Sequence, residues 1–414
     1  MPLGAVAVSR LRTDGAEGMA AAFADSTWAS SMGWTAVNGT GNVPTRDTAN
    51  ARSGAACFKC DSAANVTSHL GTNVTLAINT TYLMRAYIRT TLVPGGISPQ
   101  IMGGSAPFIT IFTGGVLRCF AGGAAQGDST AVVNDNAWHC VEMSFTISGT
   151  VTIYTAAEAR LDGTRFAAWS GSTSFASPGS VFNCGWCTAP GSGLPNSVLY
   201  VDDLAVNDNT GAAQNTWPGE GKVVLLLPIS PDNARGANWV AGAGGTTNLW
   251  DAVNNVPPAG AATGTNTSQL HNITKDTTGN YDANLTTYTT AGVGATDIVN
   301  IVQPIWNVSG ANATAAAQLV SNPVANAGAA STVSWTGFAP GAFPTNWNWV
   351  APPAQFVYNP AVAKGTSPVL RVGKRTNATT EIAVDFMGAL VEYAPPRSLV
   401  YTDRRRARNP LLRR

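Results

Sequence analysis

The sequence predicts an all-β fold built from two β-sandwich domains. Many short segments are rich in β-branched and aromatic residues, and several of them alternate apolar with polar side chains. Turn-forming clusters of glycine, asparagine and serine separate these segments at short intervals, and no segment has a convincing helical pattern. The chain has 414 residues, of which 44% are hydrophobic and only 11% are charged, so it has ample material for a core. This composition predicts folded domains with small uncharged groups on their surfaces.

The stretch from Val198 to Leu227 organises the chain, because it contains a predicted domain junction. It begins with an alternating strand that ends in the turn-forming residues 207–211, and a polar connector then closes with Trp217-Pro218-Gly219. A continuous apolar run, Val223 to Leu227, follows as a strand covered on both faces. The predicted organisation is a leader (1–17), a jelly roll (18–210), a linker (211–222), a second sandwich (223–396) and a basic tail (397–414).

Tyr82 to Arg89 is the clearest predicted strand. Tyr82, Met84, Ala86 and Ile88 share one face and the arginines share the other, which predicts one face in the core and one in water. The other candidates in the first half are Trp34–Val37, Ala55–Lys59, Phe108–Phe112, Val116–Phe120, Trp138–Phe145, Val151–Tyr154, Arg165–Trp169, Val181–Trp186 and Leu199–Val206. Those in the second half are Val223–Leu227, Asn272–Ile273, Tyr288–Thr289, Ile298–Val308, Ala315–Val320, Thr332–Phe338, Ala354–Val357, Val369–Arg375 and Glu381–Tyr393.

Three motifs around the junction carry a family resemblance. The segments YVDDLAVNDNTG (200–211), WPGEGKVVLLLP (217–228) and NLWDAVNNVPP (248–258) resemble parts of tailed-bacteriophage structural proteins, chiefly minor tail or virion proteins. In those proteins a concanavalin A-like (laminin-G-like) jelly roll ends with a similar strand. The resemblance therefore implies that the first domain is concanavalin A-like and that the chain is a virion component, not an enzyme.

The resemblance also implies a location and partners. The chain would lie in the tail, tail tip or a fibre as a homo-oligomer, most simply a trimer, after assembly in the bacterial host cytoplasm. Its partners would be other virion proteins and, through an adhesion role, host surface glycans. Two alternatives stay open: a capsid decoration protein of the same fold, and a secreted module that binds or cleaves glycans.

The acidic residues do not form a recognisable catalytic pattern. Glycan cleavage commonly uses two carboxyl groups that face each other across a sugar, and Glu142 is isolated on its strand. Asp202 and Asp203 are adjacent, so regular alternation directs them to opposite faces, where we expect solvation at a turn or edge. A calcium role for Asp202, Asp203 or Asp208 is the alternative. The three histidines are scattered, and no nucleophile elbow or phosphate-binding loop occurs, so we expect no catalytic residue and no cofactor.

The cysteines allow three interpretations. All six precede the predicted linker: Cys57, Cys60, Cys119, Cys140, Cys184 and Cys187. Buried free thiols are the favoured interpretation. The two C-x-x-C pairs provide zinc candidates, Cys57, Cys60, Cys184 and Cys187, and disulfides are the third option. The second pair, CGWC, also resembles a redox dithiol, but its surroundings predict strand and turn rather than the helix N-terminus that such a pair uses.

Loop tryptophans and the basic tail are the candidate contact sites. The tryptophans expected to contact a glycan or a neighbouring subunit are Trp28, Trp34, Trp217, Trp347 and Trp349. The arginines that would dock onto an acidic neighbour, or else stay solvated, are Arg404, Arg405, Arg406, Arg408, Arg413 and Arg414. A net charge of +1 argues against nucleic acid as a partner. Neither a long apolar stretch nor a secretory signal is evident, so we expect no membrane association.

Overall fold

The computed structural model describes most of the first half of the chain and the strands of the second. The described residues are 10–17, 34–38, 43–62, 67–72, 74–92, 98–103, 107–174, 182–188, 197–212, 214–231, 239–241, 270–272, 280–310, 317–321, 331–335, 348–350, 363–374 and 382–396. Within them the fold is all-β, as the sequence predicts, and the helical content is one 3-10 turn, Thr113–Gly115. No helix in these ranges has the length and apolar character needed to cross a membrane.

The first half forms a jelly-roll sandwich of two antiparallel sheets. Its strands are β1 (Arg10–Asp14), β2 (Trp34–Asn38), β3 (Thr45–Asp47), β4 (Cys57–Asp61), β5 (Ser68–Thr72), β6 (Thr81–Thr90), β7 (Gln100–Met102), β8 (Phe108–Ile111), β9 (Val116–Ala121), β10 (Ala124–Val132), β11 (His139–Ser148), β12 (Thr150–Leu161), β13 (Thr164–Ser174), β14 (Asn183–Trp186) and β15 (Val198–Asp208). One sheet, here the eight-stranded sheet, runs β13-β12-β11-β6-β15-β4-β3, and β1 pairs with β15. The other, the seven-stranded sheet, runs β10-β9-β8-β7-β14-β5-β2.

The second half contributes two further antiparallel sheets. Its strands are β16 (Lys222–Leu226), β17 (Pro228–Pro231), β18 (Trp239–Ala241), β19 (Leu270–Asn272), β20 (Asn280–Leu285), β21 (Ile298–Gly310), β22 (Ala317–Ser321), β23 (Ser331–Trp335), β24 (Asn348–Val350), β25 (Val369–Lys374) and β26 (Ile382–Ala394). One sheet runs β18-β19-β26-β21-β24, with β16 beside β26, and the other runs β17-β20-β25-β22-β23. The longest pairing joins β21 to β26, two strands of thirteen residues each.

The core of the first sandwich lies between its two sheets. Alternate residues of β6 and β11, such as Met84, Ala86 and Met143, are nearly inaccessible and belong to one continuous apolar cluster. The rings of Tyr82, Phe145 and Phe182 pack together in this core, with centroids 5.5–5.6 Å apart, although Phe182 lies much farther along the chain. The alternation in the sequence therefore identifies the core face of these strands correctly.

The opposite face of β6 is buried at Arg85 and Tyr87, which corrects the prediction of a solvated face there, whereas Arg89 near the end of the strand is half-exposed. Arg85 is fully buried and Tyr87 is 6% exposed. Residues 214–221, here the connector, precede β16 and pass over this face, and the Gly219 carbonyl accepts a hydrogen bond from Arg85 Nη1 at 3.0 Å. The sheet that looks half-exposed in sequence is covered by residues more than a hundred positions away.

Several predicted boundaries differ from the structure. Part of the predicted leader is β1, which pairs with β15, so the first sandwich begins before residue 18. Residues 288–289 lie in a turn, and the strand nearby is β20, whose asparagines weaken its pattern. The predicted strand 354–357 lies outside the described residues.

Candidate functional site

A β-bulge in β15 places two adjacent carboxylates on the same side of the sheet. The register of β15 against β6 shifts between Asp202 and Ala205, and Asp203 has φ of 48°. Asp202 Oδ2 accepts the backbone N–H of Arg52 at 2.8 Å, and Asp203 Oδ1 accepts the Ser53 hydroxyl at 2.5 Å. The prediction that these two carboxylates point to opposite faces is therefore wrong, because it assumed a regular strand.

The Asp202–Asp203 pair is buried in the protein rather than exposed to solvent. Both residues are completely buried, and burial raises the pKa of each carboxyl above its ordinary value. Their oxygens are used by protein donors, including the Val223 N–H at 2.6 Å from Asp203 Oδ1 and Arg52 Nη1 at 2.5 Å from Asp203 Oδ2. The prediction of edge solvation is wrong for both residues. The pair joins the first sandwich to the start of β16.

Metal binding finds no support in the described part of the chain. No group of three or more histidine, cysteine, aspartate or glutamate side chains there could hold an ion. Asp208, the third calcium candidate, accepts hydrogen bonds from the backbone and hydroxyl of Thr210 in an exposed turn. These contacts give the Asp208 carboxylate an ordinary turn-stabilising role.

The cysteine pairs do not converge as a set of four. All six thiols are free, and five of the six residues are buried, whereas Cys187 is half-buried. Cys60 and Cys184 face each other across the sandwich core and Cys187 lies near both, whereas Cys57 lies apart from them, toward Asp202 and Asp47. Burial raises the pKa of the Cys184 thiol to about 12, and it raises those of the other five as well. Thiols in this state act as small apolar core groups.

A buried ion network joins the two halves of the chain. Glu392 on β26 accepts hydrogen bonds from Arg10 Nη2 at 3.0 Å and from Arg85 Nη1 at 3.3 Å. All three side chains are fully buried. Burial by itself raises the pKa of Glu392, but the two arginines outweigh it and hold the pKa at about 2. The second half of the chain is thus held against the outer face of the eight-stranded sheet by charged hydrogen bonds.

Glu17 is a further buried acid, and its raised pKa predicts how stability depends on pH. Its carboxylate accepts the N–H groups of Ala55 and Ala56, and burial raises its pKa to about 8. The folded state therefore retains a proton that the unfolded state releases near pH 4.5, so this group's stabilisation is present below that pH and declines as the pH rises to 8. We expect Glu17→Gln to remove a slope of about 1 kcal/mol per pH unit from urea-unfolding free energies between pH 5 and 8. An unchanged slope would show that Glu17 is ionised in the fold.

A cavity of about 360 Å³ opens on the outer face of the eight-stranded sheet, beside the connector; we call it the sheet cavity. Its walls come from strands β6 and β11, the turn between β12 and β13, the loop before β4, and the connector. The lining residues are Arg52, Tyr87, Trp138, Cys140, Glu142, Asp162, Gly163, Gly219 and Glu220. Tyr87, Cys140 and Glu142 line it because they alternate with core residues on β6 and β11.

The aromatic wall of the sheet cavity has two rings in different environments. Tyr87 is covered on one face by the Arg52 guanidinium, 3.3 Å from the ring centroid. Arg52 is in turn fixed by Asp203 and by the Gly221 carbonyl, which accepts from Nη1 at 2.7 Å. Trp138 precedes β11 and is half-buried. Trp138 thus supplies a partly accessible aromatic surface next to fixed polar groups.

The polar wall of the sheet cavity is mainly acidic. Glu142 is 2% exposed, its Oε1 accepts the Gly219 N–H at 2.9 Å, and burial raises its pKa. Asp162 bonds His139 Nδ1 at 2.8 Å, and Asp135 bonds Nε2 of the same ring at 3.0 Å. The hydrogen bond to Asp162 raises the pKa of His139. Two carboxylates around one imidazole leave this group negative even when His139 is protonated.

A second cavity of about 420 Å³, the connector cavity, lies on the other side of the connector. It is lined by Gln214, Thr216, Trp217, Pro218, Glu220, Ile298, Asn300, Ala394, Pro395 and Pro396. Glu220 is exposed and lines both cavities. Trp217 stacks on the Arg160 guanidinium at 4.0 Å, which holds its ring against the sheet. The two cavities therefore meet at Glu220.

The structure brings together some of the predicted site residues and not others. Of the five tryptophans predicted to make contacts, Trp217 lines a cavity, while Trp34 and Trp349 lie within β2 and β24 rather than in loops. Trp28, Trp347 and the tail residues Arg404 to Arg414 lie outside the described residues. Sequence reasoning missed Tyr87, Trp138 and Glu220. The alternation of Tyr87 with core residues was the available signal, but the cover over that face was not predictable.

Comparison with known proteins identifies no family. No protein-family model matches the chain, and no curated protein matches it. Among solved structures, a cellulose-induced protein, Cip1, is similar with 19% identity over 45% of this chain and 93% of its own, at a TM-score of 0.32. The alginate lyase AlgAT5 of polysaccharide lyase family 7 has 15% identity over 37% of this chain and 78% of its own, at a TM-score of 0.28.

A further similar structure is the alginate lyase Aly36B in complex with alginate trisaccharide, with 10% identity over 49% of this chain and 99% of its own, at a TM-score of 0.33. These neighbours are jelly-roll β-sandwich proteins, as is the first half of this chain. At this level of similarity they say nothing about what this chain binds or does. The function proposed below rests on the chain's own residues.

Proposed function

We propose that this chain is a non-catalytic glycan-binding β-sandwich protein and that the sheet cavity is its sugar site. The supporting observation is the partly accessible Trp138 ring beside the fixed carboxylates of Glu142 and Asp162 in one concave site. A sugar offers an apolar ring face for stacking and hydroxyl groups that donate to carboxylates. The volume of about 360 Å³ falls in the range of small-ligand sites.

The absence of catalysis is part of the proposal. The adjacent acids Asp202 and Asp203 are fully buried and engaged by Arg52 and Ser53, so a sugar could not reach them. In the sheet cavity, Glu142 is held by the Gly219 N–H, and Asp162 is held by His139 and by the Cys140 N–H at 2.8 Å. Acids fixed in this way suit the recognition of hydroxyl groups.

Trp138→Ala tests the location of the site. Because ring stacking contributes about 0.5–1.5 kcal/mol, we expect the affinity for a glycan selected on an array to fall about 2- to 13-fold. Isothermal titration calorimetry on the full chain measures this change. Tyr200→Ala is the matched control, since Tyr200 is a half-buried aromatic residue elsewhere on the same sheet. Equal losses in both variants, or no glycan bound by the wild type, would contradict the proposal.

Incubation with the bound glycan tests the non-catalytic part. Chain length is followed by mass spectrometry, and we expect it to stay constant over days. Shortening that also disappears in Glu142→Gln would show instead that the sheet cavity cleaves its ligand.

The sequence resemblance supports a second candidate, a structural role in a phage virion. The buried Arg10–Glu392–Arg85 network favours it, because it makes one unit of the two halves, as an assembly subunit requires. The low charge of the chain also limits the desolvation cost of burying its surfaces against neighbouring subunits. Light scattering on the purified chain tests the expected trimer. Immunogold labelling of purified particles distinguishes tail from head, and an absence of label from particles would exclude this role.

A further inference from the structure

We infer that the proposed sugar site takes a glycan with protonated amino groups, which extends from the sheet cavity past Glu220 into the connector cavity. This inference depends on the proposed function and adds the chemical class and extent of the ligand. It follows from the charges around the two cavities and from the position of the one residue that they share.

The charges around the sheet cavity leave it negative. Arg52 is its only basic lining residue among those described, and its charge is matched by Asp203 through a contact of 2.5 Å. Arg10 and Arg85 share the single carboxylate of Glu392, and Glu142, which lies close to Arg85, offsets the remaining positive charge. Arg160, which is also near Glu142, is paired with Glu158. The Asp135–His139–Asp162 group and Glu220 then remain as negative charge without a matching cation. The negative potential attracts a cationic ligand and repels a polyanionic one.

The lining of the connector cavity is also negative. Glu220 is the one charged side chain among the described residues that line it, and Gln214, Thr216 and Asn300 add neutral hydrogen-bonding groups. The ring of Trp217, which Arg160 covers on one face, together with the exposed Pro396, supplies apolar surface for a second sugar ring. Since Glu220 is exposed and borders both cavities, a ligand that occupies both must pass its carboxylate. An amino group on the sugar at that point would form a charge-assisted hydrogen bond.

Neutral glycans and uronic-acid glycans fit these observations less well. A neutral sugar would use the rings and hydroxyl contacts but would leave the Glu220 carboxylate without a cation. A polyuronate would bring its carboxylates close to those of Asp162 and Glu220, and like charges that lie close together repel each other. The amino glycan is the class that uses both the aromatic and the acidic walls.

Calorimetry with three oligosaccharides of equal length tests the inference: a β-linked glucosamine oligomer, its N-acetylated form and an oligouronate. At pH 6 we expect the glucosamine oligomer to bind at least tenfold more tightly than the oligouronate. Glu220→Gln should weaken glucosamine-oligomer binding about three- to fivefold, and Glu220→Lys about tenfold or more, and each should weaken N-acetylated binding by a clearly smaller factor. Asp128→Asn is the control, because Asp128 is a partly exposed acid on the seven-stranded sheet.

The outcomes separate this inference from the proposed function. If the N-acetylated oligomer binds as well as the glucosamine oligomer and Glu220→Lys changes neither, the inference is overturned while sugar binding stands. If an oligouronate binds most tightly, the charge argument is wrong. If none of the three binds and the array is also blank, the proposed function fails with it. The same calorimetry on a length series of the glucosamine oligomer tests the extent of the site. If Trp138→Ala weakens binding but Trp217→Ala does not at any length, the two-cavity extent is overturned.

Discussion

Glu392→Ala is expected to lower the free energy of unfolding by about 3–5 kcal/mol, because it leaves two buried guanidinium groups without their shared anion. Arg10 would keep hydrogen bonds to Asn207 and Thr13, and Arg85 would keep the Asp203 and Gly219 carbonyls, but neither guanidinium would keep a hydrogen-bonded carboxylate. Urea unfolding monitored by tryptophan fluorescence measures the loss. Limited proteolysis at the connector should also become faster, since the two halves would separate more readily.

The pH dependence of the free energy of unfolding tests the contacts of Glu392 with the two arginines independently. The pKa of Glu392 is held at about 2 in the folded state, below its ordinary value. The stabilisation is therefore complete above about pH 4.5 and is lost as the pH falls toward 2. Wild-type protein should show a steep acid limb in this window, and Glu392→Ala should flatten it. Other carboxyls with raised pKa values, such as Glu17, act in the opposite direction at higher pH.

Glu158→Ala provides the matched control for Glu392→Ala. Glu158 also pairs with an arginine, Arg160, at 2.7 Å, but both side chains are about a quarter exposed. A pair of this kind contributes about 0–1 kcal/mol. If both variants lost the same small amount of unfolding free energy, Glu392 would not be buried between the two halves. The triple variant Arg10→Met, Arg85→Met and Glu392→Leu should recover much of the lost stability, since apolar groups of similar volume carry no desolvation cost.

Local pattern predicted the strands of the first sandwich but not what covers them. Alternation in β6 correctly separates Met84 and Ala86 from Arg85 and Tyr87, because the period of two is a property of the strand itself. Whether the Arg85 face meets water depends on Gly219 and Glu392, which lie 134 and 307 positions away. A short-range pattern carries no information on such contacts. The edge strand β10 was missed for a related reason, since most of its residues are exposed and carry no apolar period.

The candidate site was predictable only in part, and the reason is again geometric. Trp217 was identified because a tryptophan beside Pro218 and Gly219 is conspicuous in a linker. The Asp202–Asp203 pair was found but misplaced, since one bulge reverses the alternation that assigned its faces. Trp138 was read only as the first residue of a strand. Trp138 lines a cavity because residues 217–220 of the connector lie over the sheet beside it.

Trp186→Ala should have the second large effect on stability, a loss of about 3–5 kcal/mol. Trp186 is the largest completely buried side chain in the described residues, and it lies in the core between the two sheets of the first sandwich. Its Nε1–H donates to the Ser197 carbonyl at 3.1 Å, so it links β14 to the start of β15 in the opposite sheet. Thermal and urea unfolding of the full chain measure the loss. Trp186→Phe, which retains most of the ring volume, should lose roughly half as much.

The comparison with Trp138→Ala makes this prediction specific. Both changes remove an indole, but Trp138 is half-buried at a cavity, so its loss should change stability by less than about 1 kcal/mol while it weakens sugar binding. Trp186→Ala should instead destabilise the fold, and below its melting temperature it should leave affinity nearly unchanged. The CGWC motif at 184–187 would then be explained by the packing of Gly185 and Trp186, with no redox role. Gly185, at φ of 123°, has room for no Cβ between the His69 backbone and Cys60 Sγ. A stable Trp186→Ala protein with impaired binding would reverse the two assignments.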